Sequence, residues 1–138
     1  MIKRVLSSVC ALALCSGAVR ADTSGSASLY YYVVPDDDNY LQPTVRADAD
    51  RLHVEARYNY EGKRTGSFWG GYMFTREGTV ELAFTPMLGW IVGDVSGFAP
   101  GGELWLGLKP FEFYTENEYV HDTDDDSNSF FYSWSELT

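Results

Sequence analysis

Residues 52–60 read Leu-His-Val-Glu-Ala-Arg-Tyr-Asn-Tyr. Every second residue in this stretch is apolar or aromatic, and the residues between them are polar and include both signs of charge. Successive side chains of a β-strand point to opposite faces of a sheet, so this alternation predicts a strand with one apolar and one polar face. A helix would instead need apolar residues three and four positions apart.

The same alternation recurs along the chain. Five further segments alternate clearly, namely residues 67–74, 79–90, 102–109, 111–119 and 129–137. Residues 29–34 and 40–47 do so less regularly. No segment after Asp22 has helical spacing of apolar residues over three turns. The sequence therefore predicts an all-β fold, an antiparallel up-and-down meander of about six to eight strands.

The connections between these segments alternate in length. Short turns are predicted at 48–51, 76–78 and 109–110, and longer polar or Gly-rich loops at 61–66, 93–101 and 121–128. In a meander this places the tight turns at one end and the loops at the other. Such alternation, with strands of about ten residues, is typical of a transmembrane β-barrel. A soluble lipocalin-like barrel has the same period with its apolar face inward, and remains the alternative.

The first 21 residues have the layout of a secretory signal peptide. Lys3 and Arg4 precede a short apolar run, and Ala21 is a small residue suited to cleavage. The run is too short to span a bilayer as a helix. We therefore expect a signal peptide at 1–21 and a single antiparallel β-barrel-type domain at 22–138.

The composition narrows the classes of partner. The chain carries a net charge of −10, and loss of Lys3, Arg4 and Arg20 with the leader would take it to −13. Nucleic acids are recognised by basic surfaces, so a nucleic-acid partner is not expected. Cys10 and Cys15 both lie in the leader, so no disulfide or cysteine metal site is expected in the domain.

The direction of the apolar faces separates the two barrel hypotheses. Aromatic residues such as Tyr58, Trp90 and Tyr119 fall near strand ends, where membrane barrels carry interfacial girdles. Polar side chains would then line the lumen, and the residues expected there are His53, Glu55, Arg57, Glu81, Glu112, Glu116 and Glu118. In the soluble alternative the apolar faces would be internal, with Trp90 and Trp105 among the lining residues.

Four stretches carry a resemblance to a known group. They are RLHVEARYNYE at 51–61, TGSFW at 65–69, FTPMLG at 84–89 and SFFYSWSEL at 129–137. From about Tyr40 onward the chain resembles a group of uncharacterised exported or outer-membrane β-barrel-type proteins of Gram-negative bacteria. The likeness rests on strand patterns and implies location and architecture, without an activity. Members continue with further strands, which implies that this chain is an N-terminal or truncated portion and that its barrel is incomplete at the C-terminus.

The sequence contains no complete catalytic or metal-binding motif. Counting from Asp122, an EF-hand would need Gly and Glu where Ser127 and Ser133 stand, so only loose divalent-cation contacts are expected at the acidic loops. Ser96 lacks the spacing of a nucleophile elbow. We therefore predict no enzyme, no catalytic residue and no cofactor.

The function expected from the sequence is that of an outer-membrane β-barrel protein with a structural or pore-like role and lipid as its partner. The alternative is a soluble periplasmic β-barrel that binds a small apolar ligand. A periplasmic hydrolase is a third, unsupported reading.

Overall fold

The computed structural model describes residues 23–138, so the predicted signal peptide lies outside the described residues. Almost every described segment is extended, and the one helical element is a short 3-10 turn at Asp126–Asn128. Nine strands are formed in this described part of the chain: β1 Thr23–Tyr32, β2 Tyr40–Ala49, β3 Leu52–Tyr58, β4 Thr65–Tyr72, β5 Phe74–Arg76, β6 Glu81–Gly93, β7 Gly97–Leu108, β8 Phe111–Asp122 and β9 Phe130–Leu137. No helix within residues 23–138 is long and apolar enough to cross a membrane.

All strands belong to one antiparallel meander. The hydrogen-bonded order is β1-β2-β3-β4-β6-β7-β8-β9, and β5 pairs with β6 beyond the end of β4. Met73 separates β4 from β5, so the two strands act as one interrupted strand against β6. The sheet curls into a half-barrel whose two edge strands are β1 and β9. This confirms the predicted all-β, barrel-like meander.

The strand positions follow the predicted alternation, with clear differences at β1 and β7. A strand was predicted at 29–34, but β1 spans Thr23–Tyr32, because the small polar residues at its start give no alternation. Residues 93–101 were predicted to form a loop, but β7 begins at Gly97 and the connection from β6 is residues 94–96 alone. The loop was predicted because this segment is rich in glycine and proline, which usually mark turns, and that prediction was wrong. Here the glycine hydrogen allows close packing, since a Cβ at Gly97 would lie 1.9 Å from the backbone oxygen of His121.

The curled sheet carries apolar side chains on its outer, convex face and charged side chains on its inner, concave face, which is the reverse of a water-soluble barrel. The convex face exposes large apolar side chains, among them Phe68 at 70%, Trp90 at 65% and Leu88 at 60%. Others on the exposed surface of the strands are Leu41, Val45, Leu52, Val54, Phe84, Val92, Phe98, Tyr119 and Phe131. The concave face buries mostly polar and charged side chains.

The apolar core on the concave side is small. It consists of Trp69, Met87, Ile91, Ala99 and Val120, with Val95 and Phe130 packed against it. Val95 and Phe130 belong to or follow the loops that join β6 to β7 and β8 to β9. The apolar cluster therefore caps the loop end of the concavity, and charged groups fill its middle.

Candidate functional site

Arg57 of β3 is the centre of a buried ionic network. Arg57 is only 3% exposed to solvent. Its Nε donates to Glu55 Oε2 at 2.6 Å, and its two terminal nitrogens donate to Glu116 Oε1 at 2.9 Å and to Glu118 Oε2 at 3.0 Å. Alternation places Glu55 and Arg57 on the same face of β3, while Glu116 and Glu118 share one face of β8. One guanidinium group thus joins two strands that are not neighbours in the sheet.

Aromatic rings pack against this guanidinium group. Its carbon lies 4.4 Å from the ring centroid of Tyr60 and 4.6 Å from that of Trp69, both within cation–π range. The Tyr60 hydroxyl is 3.4 Å from both carboxylate oxygens of Glu116. Because these rings also exclude water, they strengthen the ion pairs at the centre of the network.

Glu61 extends the network toward the loop end. Its Oε1 accepts hydrogen bonds from Ser67 Oγ at 2.7 Å and from Trp69 Nε1 at 3.0 Å, and lies 3.5 Å from Arg57. Its Oε2 is buried and has no hydrogen-bond partner among residues 23–138. A buried carboxylate oxygen without a hydrogen-bond partner carries a desolvation cost, so Glu61 is the least well satisfied member of the network.

A second branch runs from His53 toward β7. His53 Nδ1 lies 2.6 Å from Asp48 Oδ1, and His53 Nε2 lies 2.8 Å from Glu55 Oε1. Arg46 of β2 contacts the same Glu55 oxygen at 3.2 Å and Glu103 Oε1 at 3.3 Å. The Tyr114 hydroxyl donates to Glu103 at 3.0 Å. The branch therefore crosses the concavity from β3 to β7.

The charges of the whole network do not balance. Six carboxylates face two guanidinium groups and one imidazole: Asp48, Glu55, Glu61, Glu103, Glu116 and Glu118 against Arg46, Arg57 and His53. Buried ion pairs contribute little to stability as intact units, but the loss of one partner is costly. A cluster with this excess of negative charge favours cations over anions.

Of the seven residues predicted to face the lumen, five are buried together on the concave face and two are exposed. His53, Glu55, Arg57, Glu116 and Glu118 meet in the network described above. Glu81 and Glu112 lie instead at the tight-turn end, where both are exposed and border a cavity of about 330 Å³ together with Trp105 and Lys109. Trp90, the other lining residue of the soluble alternative, is on the convex face.

Sequence reasoning missed several members of the network. They are Arg46, Glu61, Glu103, Tyr60, Trp69 and Tyr114. Within β7, alternation places Glu103 on the face that the leucines do not occupy, and this pattern could have assigned it to the polar face. Arg46 was harder to recognise because Pro43 interrupts its segment. Glu61 follows β3 in a loop, where alternation carries no information about direction.

A larger cavity of about 780 Å³ lies on the concave side between the two edges of the sheet. It is bordered by residues of β1 and β2 on one side and of β8 and β9 on the other. Tyrosine is the commonest aromatic residue around it, and Tyr60 Oη lies 3.3 Å from Tyr132 Oη. Arg46 and Glu116 connect this cavity to the ionic network. The network is therefore reached from solvent through the gap between the edge strands.

The acidic loops at the opposite end from the tight turns use their carboxylates within the protein. Asp37 pairs with Lys63 at 2.6 Å, and this hydrogen bond lowers the pKa of Asp37. Asp122 accepts from the backbone nitrogens of Asp124 and Asp125. Asp125 accepts from Ser127, which lowers the pKa of Asp125. Divalent-cation contact at these loops stays a prediction.

Comparison with known proteins adds no relative: no protein-family model, curated protein or solved structure matches the chain. The fold and the arrangement of charge are therefore the basis for a functional proposal.

Proposed function

We propose that this chain is an outer-membrane β-barrel-type protein with a structural role in the bilayer. The observation that carries the proposal is the inverted burial: apolar side chains cover the convex face and charged side chains fill the concave one. A bilayer solvates the first arrangement, and a polar interior suits the second. In water, such a large exposed apolar surface would have to be covered by a partner.

Five of the described strands are long enough to span a bilayer, while β3, β4 and β9 are shorter, with 7, 8 and 8 residues. A membrane-spanning β-strand needs about 9–11 residues, and β1, β2, β6, β7 and β8 have 10, 10, 13, 12 and 12 residues. The connections 50–51, 77–80 and 109–110 lie at one end, and three of the four connections at the other end, 33–39, 59–64 and 123–129, are longer, which is the usual asymmetry of such barrels.

The ionic network supports a structural role over a wide pore. Arg57 and its partners occupy the middle of the concavity, and small barrels are generally filled by side chains in this way. If ions do pass, the excess of carboxylates would favour cations. The soluble alternative requires an apolar interior, whereas the concave face presents the charged groups described above.

A lysine substitution on the convex face tests the proposal. Leu88 lies in the middle of β6 and is 60% exposed, and Lys or Arg at the bilayer midplane of a barrel costs about 2–4 kcal/mol. We expect Leu88→Lys to reduce folding into lipid vesicles by about 30-fold or more. The matched control is Val80→Lys, since Val80 is exposed in the turn before β6 and should change insertion by less than about 1 kcal/mol.

The measurement is the folded fraction in vesicles, read as the band that migrates differently in unboiled and boiled samples. Equal folding of Leu88→Lys, Val80→Lys and wild type would contradict a lipid-facing β6. A monodisperse wild-type protein in buffer without detergent would overturn the proposal altogether.

A further inference from the structure

One part of the ionic network has the chemistry of a metal site. One ring nitrogen of His53, a carboxylate oxygen of Glu55 and one of Glu103 all lie within 4.8 Å of one another. His53 and Glu55 are buried, and Glu103 is half-buried. We propose that these three side chains bind a divalent transition-metal ion of the Zn²⁺ type, independently of the proposed membrane role.

The orientation of His53 supports this assignment. Its Nδ1 is held by Asp48 at 2.6 Å, which directs Nε2 toward Glu55. A carboxylate on the far ring nitrogen is the usual outer partner of a metal-binding histidine, where it fixes the tautomer and raises the basicity of the ligating nitrogen. Asp48 is on β2 and His53 on β3, directly opposite in the ladder, so the sheet itself sets this contact.

The donor set indicates which ion would bind. One imidazole nitrogen with two carboxylate oxygens suits Zn²⁺ and related ions, while Ca²⁺ and Mg²⁺ prefer oxygen alone. Ligand bonds of about 2.0–2.2 Å place neighbouring donor atoms about 3.3 Å apart. His53 Nε2 and Glu55 Oε1, now 2.8 Å apart, would separate slightly, and Glu103 would move inward.

Arg46 is the cation that a metal ion would replace. Its guanidinium group bridges Glu55 and Glu103 at 3.2 and 3.3 Å, in the position where an ion would neutralise the same oxygens. The Arg46 side chain is 31% exposed and borders the cavity between the edge strands. It can therefore swing toward solvent, and the ion would take its place between the two carboxylates while any proton on the ligating His53 nitrogen is released to water.

Binding would have a structural consequence. Glu55 belongs to β3 and Glu103 to β7, so one ion would link two walls of the curled sheet. We expect Zn²⁺ to stabilise the folded protein in proportion to its free concentration, because only the folded chain holds the three ligands together.

Thermal unfolding of the full chain in detergent, titrated with ZnCl₂ alone, tests the site. At a free concentration of about 100 times Kd we expect a rise in Tm of about 5–10 °C. The rise should disappear in His53→Gln and persist in the matched control His121→Gln, since His121 lies on β8 near Asp126 and outside the network. Asp48→Asn should weaken binding about 10–100-fold.

Two further measurements keep the test decisive if His53→Gln does not fold. Arg46→Gln should tighten Zn²⁺ binding at least about tenfold by removing the competing charge. Co²⁺ added to wild type should give the absorption of a bound ion with nitrogen and oxygen ligands, and Zn²⁺ should displace it. No Tm shift in wild type and Arg46→Gln, or an equal shift in both histidine variants, would overturn the proposal.

Discussion

Replacing Arg57 by methionine removes the only guanidinium group within residues 23–138 that contacts Glu55, Glu116 and Glu118 together. Methionine keeps much of the side-chain volume, so the main effect is electrostatic. Breaking a buried ion pair by removing one partner costs about 3–5 kcal/mol, because the remaining charges stay buried and unpaired. Four carboxylates lose a partner here, but Glu55 and Glu116 still face Arg46, so we expect a loss within that range.

The assay is equilibrium unfolding in urea of the folded protein in detergent micelles, with Arg57→Met, Glu118→Gln and the double variant. Glu118→Gln should cost less, about 1–2 kcal/mol, because it loses one charge-assisted hydrogen bond but relieves repulsion from Glu61 and Glu116. The double variant should be less destabilised than the sum of the two. Arg51→Met, in the exposed β2–β3 turn, is the control and should change stability by less than about 0.5 kcal/mol. A cost below about 1 kcal/mol for Arg57→Met would refute the view that this network holds the sheet.

Two further predictions concern the backbone and the loops. Gly97→Ala should cost about 1–3 kcal/mol or more in the same urea assay, since its Cβ would overlap the His121 backbone. The control Gly70→Ala has open space at its Cβ and should be neutral or slightly stabilising. Equal effects of the two substitutions would contradict the close packing of β7 on β8. Lys63 lowers the pKa of Asp37 below its ordinary 3.8, so this pair stabilises the 33–39 loop above that pH and its contribution is lost as the pH falls through the lowered value. The protection of the loop amides from hydrogen exchange, relative to an unstructured peptide at the same pH, should therefore fall below about pH 4 in wild type, and a persistent pH step in Asp37→Asn would show that another group is responsible.

The strands could be predicted from sequence because their signal is local. Alternation along residues 52–60 depends only on neighbouring residues, and the structure keeps it through β3 with His53, Glu55 and Arg57 all on the buried face. Pro43 and Pro86 lowered the regularity of their segments, yet both lie within strands, opposite Leu29 and Gly102. Local patterns failed at Gly97, where tertiary packing on β8 decided the conformation.

The ionic network could be predicted only in part. Alternation assigned polar residues to one face, but it carries no information about which of them meet. Arg57 and Glu118 are 61 positions apart in the chain, and their contact depends on how tightly the sheet curls. Glu81 and Glu112 have the same pattern as Glu116, and they lie outside the network because they stand at the tight-turn end of their strands.

The curl of the sheet and the ionic network depend on each other. The hydrogen-bonded order of the described strands ends at β1 and β9, so no ladder between these two edges closes the half-barrel. The walls are joined across the concavity by side chains: Arg57 links β3 to β8, and Arg46 links β2 to β7. Because Glu103, Glu116 and Glu118 meet their guanidinium partners only while the walls stay close, a charge-removing substitution should widen the curl before it separates neighbouring strands. Distances measured by paired spin labels on β1 and β9 would increase in Arg57→Met at urea concentrations that leave the strand signal in circular dichroism unchanged. Simultaneous loss of both signals would show that the ladders, and not the network, set the shape.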